Sequence, residues 1–225
     1  MIQWIRNLFG LGARTNDLTD PRWWQKIGWF GAETASGAEV NSATAMTYSA
    51  VWAATRLIAG TGGSLPFGLY KRIPLESKGI AGEGHVAADD HPLDYVLSVR
   101  PNPQMTAGNF RRLMWQYQVN WGNAVAIKVV DPDTQEVDSL WPIHPSRMKI
   151  ENRDGEYLFH ATRPDGTQRT FRQDEVFHVP NVLTLDGVIG LGTIEAARES
   201  IGMGLATERY GANFFGGDGI PRAVV

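Results

Sequence analysis

The residues that could carry out chemistry are few, and they are widely spaced along the chain. The five histidines are His85, His91, His144, His160 and His178. No two of them form a His-x-x-x-His pair or another histidine–glutamate zinc motif. The sequence contains no cysteine, which excludes a thiolate metal site, a cysteine nucleophile and a disulfide scaffold. One enzymatic alternative stays open, namely a hydrolase that uses His144, His178 and Asp186.

Motifs that bind nucleotides or activate a serine are also absent from the sequence. There is no Gly-x-x-x-x-Gly-Lys-Ser/Thr loop for ATP and no Gly-x-Ser-x-Gly turn of a serine hydrolase. The run GVIGLG at 187–192 has closely spaced glycines. It lacks the pattern of a dinucleotide-binding loop, and we interpret it as a turn that begins a helix. We therefore predict no catalytic residue, no cofactor and no bound metal, and expect a protein that acts by interaction.

The composition is that of a globular protein without a strong positive or negative electrostatic field. Of 225 residues, 43% are hydrophobic and 20% are charged, which is ordinary for a folded domain. The net charge of −3 offers no strongly basic surface to nucleic-acid phosphates. Every apolar stretch is far shorter than the ~20 residues that a membrane-spanning helix needs, so we expect no membrane partner.

Residues 1–45 differ from the rest of the chain and show no clear periodicity. They contain Trp4, Trp23, Trp24 and Trp29 among small and polar residues. We interpret them as a partly flexible arm that packs through these tryptophans, because tryptophan is favoured at interface hot spots. The sequence leaves open whether the arm contacts a partner subunit or the core of its own chain.

The hydrophobic pattern after residue 46 predicts an α+β fold, with helices flanking antiparallel or mixed strands. The first predicted helix covers 47–60, begins with Thr47 as its cap and ends at glycines. Its apolar positions are Val51, Ala54, Leu57 and Ile58. A half-buried strand over 65–72 and an exposed loop over 73–90 are expected to follow, and His91-Pro92 then begins a short helix.

The next segment predicts a longer helix and then a series of strands. Thr106 caps the helix and Gly122-Asn123 ends it. Its apolar positions are Phe110, Leu113, Met114, Tyr117 and Trp121. The period then changes to two, which predicts strands over 124–130, 137–141, 147–152, 157–163 and 176–179. Asp154-Gly155 is a favoured hairpin turn, and its register places Ile150 opposite Phe159 and Met148 opposite Ala161. Phe171 is expected to pair with the same Phe159.

The final predicted helix begins at Gly192-Thr193 and runs to about Phe215. One face contains Ile194, Ala197, Ile201 and Leu205. Gly202, Gly204 and Gly211 each weaken a helix by about 1 kcal/mol relative to alanine. Such glycines are explained if they let a neighbouring helix approach closely, and the alternative is a bent or frayed helix.

Several of these segments together resemble portal proteins of tailed bacteriophages, of the Hong Kong 97 type. The resemblance covers about 46–225 and depends on runs that follow one another in the family's order. The runs are YSAVWAATRLIA (48–59), SLPFGLYKR (64–72), HPL (91–93), RPNP (100–103), WGNA (121–124), LWPIHP (140–145), DEVFHV (174–179), DGVIGL (186–191) and ERYGANFF (208–215). Each run alone is a weak signal, and their order makes the resemblance specific.

The resemblance implies a three-part organisation. It implies an arm at 1–45, a wing-like α+β domain at 46–190, and a first stem-like helix with the start of a clip region at 191–225. Portal chains of this type continue into a clip, a second stem helix, a channel loop and a crown, so the chain looks like the N-terminal portion. We expect Ile194, Ala197, Ile201 and Leu205 to pack between subunits, and Arg198 and Arg209 to make subunit or capsid contacts. Intrachain packing and solvent exposure are the alternatives.

The resemblance also implies a structural function in the virion. Portal subunits form a ring, usually of twelve, at one capsid vertex, and double-stranded DNA passes through it during packaging and ejection. The expected partners are further copies of the chain, the major capsid protein, the terminase large subunit, the head–tail adaptor and DNA that is not held tightly. The expected locations are the virion vertex and, during assembly, the host cytoplasm. Another head-completion or adaptor protein, or an inactive truncated prophage product, is the alternative.

Overall fold

A computed structural model describes residues 34–77, 80–163, 165–182, 184 and 186–217. The helices within these ranges are α1 (Ser42–Ala45), α2 (Ser49–Ser64), α3 (Pro92–Ser98), α4 (Ala107–Trp121), α5 (Thr193–Ala196) and α6 (Arg198–Gly216). The strands within them are β1 (Tyr70–Ser77), β2 (Ile80–Ala87), β3 (Asn123–Val130), β4 (Val137–Ile143), β5 (Met148–Arg153), β6 (Glu156–Thr162), β7 (Gln168–Arg172) and β8 (Val176–Pro180). Two 3-10 turns cover Pro145–Arg147 and Gln173–Glu175.

The described strands form three antiparallel sheets. Strands β1 and β2 make a two-stranded sheet, and the two larger sheets have the strand orders β4-β3-β8 and β5-β6-β7. The predicted α+β class is confirmed, and all strand pairs in the described part are antiparallel. The tryptophans of the predicted arm, Trp4, Trp23, Trp24 and Trp29, lie outside the described residues.

The hairpin β5–β6 has the register that its turn predicts. Ile150 pairs with Phe159, and Met148 pairs with Ala161. Asp154 and Gly155 have φ angles of 54° and 93°, as a two-residue turn with two left-handed positions requires. Phe171 of β7 also pairs with Phe159. The Phe159 side chain is therefore fully buried at the centre of this sheet.

Strand β3 is the centre of the fold because its two faces serve two different hydrophobic cores. Ala124 and Ala126 belong to a core with Phe110, Met114 and Tyr117 of α4. Val125 points to the opposite face and packs with Phe159, Phe171 and Val176. Successive side chains of a strand alternate between faces, so β3 joins helix α4 to the sheet β5-β6-β7. Its small alanines let α4 lie close to the sheet.

Helix α4 has the boundaries that the sequence predicts. The Thr106 hydroxyl accepts a hydrogen bond from the backbone N–H of Asn109, and Gly122 ends the helix with φ +79°. Phe110, Met114 and Tyr117 are buried along one face, at the spacing of an amphipathic helix.

Helix α2 differs from its prediction at both ends and in its packing face. Thr47 is not its cap, because the Thr47 hydroxyl donates to the Thr44 carbonyl, and the helix begins at Ser49. It continues past the glycines to Ser64, and its buried residues are Thr55, Ala59 and Gly63. The predicted apolar positions Leu57 and Ile58 are exposed. Burial in this helix follows small side-chain size and not hydrophobicity.

The neighbouring helix α4 explains why small residues form this buried face. A Cβ atom on Gly63 would collide with the Arg112 side chain, and one on Gly62 would lie 2.5 Å from Nε1 of Trp115. The Thr55 hydroxyl donates to Oδ1 of Asn120 on α4 at 3.0 Å. The glycines that were expected to end α2 instead bring its last turns against α4.

Residues 65–90 also differ from the prediction. The strand begins at Tyr70 and not at Leu65, and Leu65 and Phe67 are exposed. Residues 73–90, predicted as an exposed loop, contain most of the hairpin β1–β2, which pairs without a bulge from Tyr70 opposite Ala87 to Ser77 opposite Ile80. A hairpin that lies against no larger sheet needs no alternation of apolar and polar residues, and this signal was therefore missing from the sequence.

We predict that Gly63→Ala destabilises the protein by about 1–2 kcal/mol, because the added methyl group displaces Arg112 and separates α2 from α4. Gly60→Ala is the matched control, since a Cβ at Gly60 meets no atom of the described residues within 4 Å. The control should stabilise the protein by about 0.5–1 kcal/mol through helix propensity. Urea unfolding followed by circular dichroism measures both. Equal effects of the two substitutions would contradict the packing that we describe.

Candidate functional site

The loop before α5 touches the start of β3 through backbone atoms. A Cβ atom on Gly190 would coincide with the carbonyl oxygen of Gly122, and one on Gly122 would lie 2.6 Å from the backbone nitrogen of Gly192. Gly122 also needs a left-handed backbone, with φ +79°. These positions therefore accept only glycine. The GVIGLG run thus begins a helix, as predicted, and also lies directly on the strand that centres the fold.

Asn123 makes two side-chain hydrogen bonds to this loop and a third to strand β8. Its Nδ2 donates to the Gly190 carbonyl at 2.9 Å, and its Oδ1 accepts from the Gly190 N–H at 2.9 Å. The same Oδ1 lies 3.0 Å from Nε2 of His178 on β8. Because the two bonds to Gly190 fix the amide orientation, Nε2 of His178 must carry the hydrogen and donate. His178 is therefore held as the neutral Nε2–H tautomer.

The environment of His178 opposes its protonation. Burial lowers the pKa of His178 from 6.5 to about 4, and the nearby Asp186 carboxylate counteracts only part of this effect. The ring also packs edge-on against Phe159, with centroids 5.2 Å apart. The geometry gives this histidine a structural role in joining β8, β3 and the loop before α5.

The other members of the hydrolase alternative are also occupied by structural bonds. His144 lies with Nδ1 2.7 Å from the Ser146 hydroxyl, and its ring packs edge-on against Tyr117 and Trp121. Burial and then the charge of Arg147 lower its pKa. Asp186 accepts hydrogen bonds from the backbone N–H groups of Val188 and Ile189. Burial acts to raise the pKa of Asp186, but these bonds and the one from the Tyr157 hydroxyl outweigh it, so the pKa is lowered. Among the described residues, no group of three or more histidine, aspartate or glutamate side chains could hold a metal ion.

The predicted final helix is divided into α5 and α6 by one residue. Ala197 has φ −101° and ψ 15°, outside the helical range. Ile194 and Ile201 are buried with Val40 and Ala45, and Ala197 and Leu205 pack against this cluster. These four residues thus share one face, as expected. This face packs against Val40 and Ala45, which precede α2 in the same chain. Their role in packing between subunits stays a prediction.

The glycines of α6 are adapted to close contacts within the chain. A Cβ on Gly202 would lie 2.6 Å from Cγ2 of Thr34, and one on Gly204 would lie 2.6 Å from the Tyr48 ring. A Cβ on Gly211 would meet no atom within 4 Å in the part of the chain that the structure describes. The close approach that these glycines predict is therefore made at Gly202 and Gly204, by the segment that precedes α2.

The two arginines predicted to make charge contacts lie in different surroundings. The Arg198 side chain is only 22% exposed, and its Nη2 lies 3.9 Å from Oε1 of Glu199. Its Nε and Nη1 are buried and find no hydrogen-bond acceptor in the described part of the chain. Arg209 is exposed on the distal half of α6. Their subunit or capsid contacts stay predictions.

A cleft separates the sheet β5-β6-β7 from α5 and the start of α6. It has a volume of about 690 Å³, and Trp121, Ile150 and Ile194 form part of its wall. Its lining carries the basic side chains of Arg147, Lys149 and Arg198 and the carboxyl groups of Glu151 and Glu195. Burial raises the pKa of Glu195, which favours the neutral form of that carboxyl. Basic groups therefore outnumber charged carboxylates in the lining.

The distal end of α6 projects from the rest of the molecule. From Thr207 to Gly217 every residue is exposed except Gly211, which is half-buried. Tyr210 and Phe215 are 73% and 79% exposed, and Phe214 is 41% exposed. We call this segment, 207–217, the aromatic end of α6. Arg209, which the sequence predicts to make subunit or capsid contacts, lies within this segment. The spacing of Tyr210 and Phe214 places these two aromatic residues on one helical face.

Further exposed apolar side chains lie on α2. Trp52, Leu57 and Ile58 are exposed there, Leu57 by 70%, and at 3.6 residues per turn they point in different directions around the helix. The Arg56 guanidinium lies over the Trp52 ring, 5.3 Å from its centroid. Exposed apolar surface of this kind marks sites of interaction, and in the described part of the chain no helix is long and apolar enough to span a membrane.

Comparisons with known proteins identify this architecture. Residues 49–225 match the family model described as phage portal protein. The probable portal protein of Streptomyces phage phiC31 is 30% identical over 229 residues, which cover 97% of this chain and 46% of that protein. The portal protein of Enterobacteria phage HK97 is 26% identical over 227 residues, covering 92% and 50%. The chain therefore spans about half the length of these relatives.

A solved structure shares the fold at lower identity. A chain from the neck of an empty gene transfer agent particle, computed with C6 symmetry, superposes with a TM-score of 0.60 at 17% identity. The match covers 84% of this chain and 51% of that chain. The fold described above is thus one that known neck proteins adopt.

We predict that Gly190→Ala destabilises the protein by about 3 kcal/mol, because the new methyl group displaces the Gly122 carbonyl and both backbone segments. Gly211→Ala adds the same methyl group at a position where a Cβ meets none of the described atoms within 4 Å. It should stabilise the protein by about 0.5–1 kcal/mol. Chemical denaturation of both variants tests this, and an unaffected Gly190→Ala protein would show that the backbone contact is not tight.

We predict that His178 makes the folded state less stable as the pH falls from 7 to 4. The unfolded chain protonates this histidine near 6.5 and the folded chain only near 4, so the unfolded state binds more protons in this window. His178→Gln should remove about 2–3 kcal/mol of this pH dependence.

Urea unfolding at a series of pH values measures the effect. His85→Gln, at an exposed position of β2, is the matched control and should keep the pH profile of the wild-type protein. Parallel profiles for the wild type and His178→Gln would contradict the buried neutral histidine.

Proposed function

Because the chain belongs to the phage portal protein family, we propose that it forms the wing and the first stem helix of a portal subunit, which assembles with further copies into a ring at one capsid vertex. The observation that supports this proposal is the family match over residues 49–225. The similarity to the HK97 portal protein confirms the resemblance to the Hong Kong 97 type. Residues 46–190 are assigned to the wing and the helical segment after 191 to the stem.

The proposed ring is a conduit for double-stranded DNA during packaging and ejection. A conduit must not hold its cargo tightly, because every neutralised phosphate adds to the affinity. The chain has 21 basic and 24 acidic residues, a net charge of −3. Twelve copies would carry about −36 in total, a field that repels DNA at long range. The charge of the subunit therefore suits passage without sequence-specific binding.

The proposed role is structural and not catalytic. The histidines and the aspartate of the hydrolase alternative are committed to structural hydrogen bonds, and the relatives are portal proteins. By resemblance, the ring would also contact the major capsid protein, the terminase large subunit and the head–tail adaptor. It would be located at the portal vertex of the virion and, during assembly, in the host cytoplasm.

We predict that the purified chain forms a ring of about twelve subunits with a central hole. Native mass spectrometry gives the number of copies, and negative-stain electron microscopy shows the hole. A monodisperse monomer would contradict assembly by this chain. Restoration of DNA packaging in a phage that lacks its portal protein distinguishes a portal from an adaptor or an inactive product.

The same ring should bind duplex DNA weakly. Fluorescence anisotropy with a short labelled duplex at physiological salt should show no saturation at micromolar protein, in the range where non-specific DNA-binding proteins already bind, about 1–100 µM. Tight binding under these conditions would contradict the conduit.

A further inference from the structure

We propose that the cleft between the sheet β5-β6-β7 and the start of α6 binds an oxyanion, a carboxylate or phosphate group, at the guanidinium of Arg198. The inference does not depend on the proposed ring, because every residue that carries it lies within one copy of the chain. It assigns a ligand chemistry to a cleft to which the proposed function gives no role.

The side chain of Arg198 is a largely buried cation with unused hydrogen-bond donors. Only 22% of it is exposed, and its Nε and Nη1 find no acceptor in the described part of the chain. Oε1 of Glu199 lies 3.9 Å from Nη2, which is too far for a hydrogen bond. A guanidinium carries five N–H donors, and burial of a charge without partners costs free energy. Arg198 therefore lacks an acceptor that carries negative charge.

Two further cations in the lining of the same cleft are also without a counter-ion. The side chains of Arg147 and Lys149 are exposed and line the cleft together with Arg198. Neither forms an ion pair with a carboxylate of the described residues. Three basic side chains thus border one cavity, and a cleft lined by one sign of charge concentrates ions of the opposite sign.

The two carboxyl groups of the lining do not neutralise these cations. Oε1 of Glu151 lies 3.3 Å from Nη2 of Arg153, and its Oε2 lies 3.3 Å from Nε2 of His160. Burial raises the pKa of Glu195, although the charge of Arg198 acts to lower it. The neutral form of the Glu195 carboxyl is therefore favoured relative to a free glutamate. The excess of positive charge is left for an anion that these residues do not supply.

The cleft has the size and the mixed lining of a ligand site. Its volume of about 690 Å³ lies within the range of roughly 300–1,000 Å³ that is usual for ligand pockets. Thr162 and Gln168 add neutral donors for oxygen atoms, and Trp121, Ile150 and Ile194 form apolar wall. Sites of this kind combine apolar walls with a few polar groups that orient the ligand. The walls would enclose the body that carries the oxyanion, and Arg198 would hold the oxyanion itself.

Two sources can supply the oxyanion. One is a free anion, for which inorganic phosphate is the probe. The other is a carboxylate of residues 1–33, which contain Asp17, Asp20 and Glu33. The described part of the chain begins at Thr34, and the Ala35 N–H donates to Glu199, the residue next to Arg198. Both sources therefore reach the cleft, and substitution of the three acidic residues distinguishes them.

Isothermal titration calorimetry of the full chain with inorganic phosphate, at constant ionic strength, tests the inference. The wild-type protein should bind one phosphate per chain. Arg198→Met should weaken this binding at least about tenfold, because it removes the charged partner of the anion. Arg209→Met is the matched control, since it removes the same charge from an exposed position of the same helix. The control should bind phosphate as the wild type does.

Two further measurements separate loss of the site from loss of the fold. Arg198→Met should keep or raise the unfolding temperature in phosphate-free buffer, because an apolar residue replaces a buried cation without partners. Lys149→Gln changes an exposed side chain of the cleft and should weaken phosphate binding about twofold to fivefold, as expected for a solvent-exposed charge.

The outcomes distinguish the two sources of the anion. Phosphate binding that Arg198→Met weakens would support a site for a free anion. Phosphate binding that appears only in the variant Asp17→Asn/Asp20→Asn/Glu33→Gln, and is lost again with Arg198→Met, would show that a carboxylate of the chain itself fills the site. Absence of binding in both the wild type and this triple variant would overturn the inference, as would binding that Arg198→Met leaves unchanged. None of these results bears on ring assembly, so the proposed function is tested separately.

Discussion

The contact between the backbones of Gly122 and Gly190 is the constraint on which the connection between the sheets and the final helices depends. It brings the loop before α5 directly onto the start of β3, where Asn123 holds it through both its amide oxygen and its amide nitrogen. No side chain larger than hydrogen fits between the two segments. Since β3 also unites two hydrophobic cores, the loop that begins α5 is held against the centre of the fold. Packing of this kind leaves little freedom for relaxation.

Small residues determine the helix contacts as well. Helix α2 approaches α4 through Thr55, Ala59 and Gly63, and α6 approaches the N-terminal segment through Gly202 and Gly204. In α2 the residues buried against α4 are small, and Leu57 and Ile58 are exposed. In α6 the glycines lie beside Ile201, which is buried with Val40 and Ala45. The glycines thus set how closely the helices approach, and in α6 a large apolar side chain still fills the interior, as in other globular proteins.

Much of the α+β fold could be predicted from the sequence, because local rules govern it. Thr106 and Gly122 bound α4, and Asp154-Gly155 sets the register that buries Phe159. The buried side of α2 could not be predicted, since Leu57 and Ile58 satisfy the helical period and yet are exposed. The hairpin β1–β2 lacks an alternating pattern, and Ala197 is of a residue type that favours helix, so neither could be recognised. The exposed aromatic residues of α6 could not be told from a buried face, because both have the same helical spacing.

The break at Ala197 is held from both sides. The Ala197 N–H donates to the Thr193 carbonyl and the Ile201 N–H donates to the Ala197 carbonyl, and Ile194 and Ile201 lie in one buried cluster. Helix α6 has 19 residues, and at 1.5 Å per residue it is about 28 Å long. A change of about 10° in its direction at Ala197 would move its far end by about 5 Å, roughly one helical turn. The packing of Ile194 and Ile201 therefore determines the position of residues about 28 Å away.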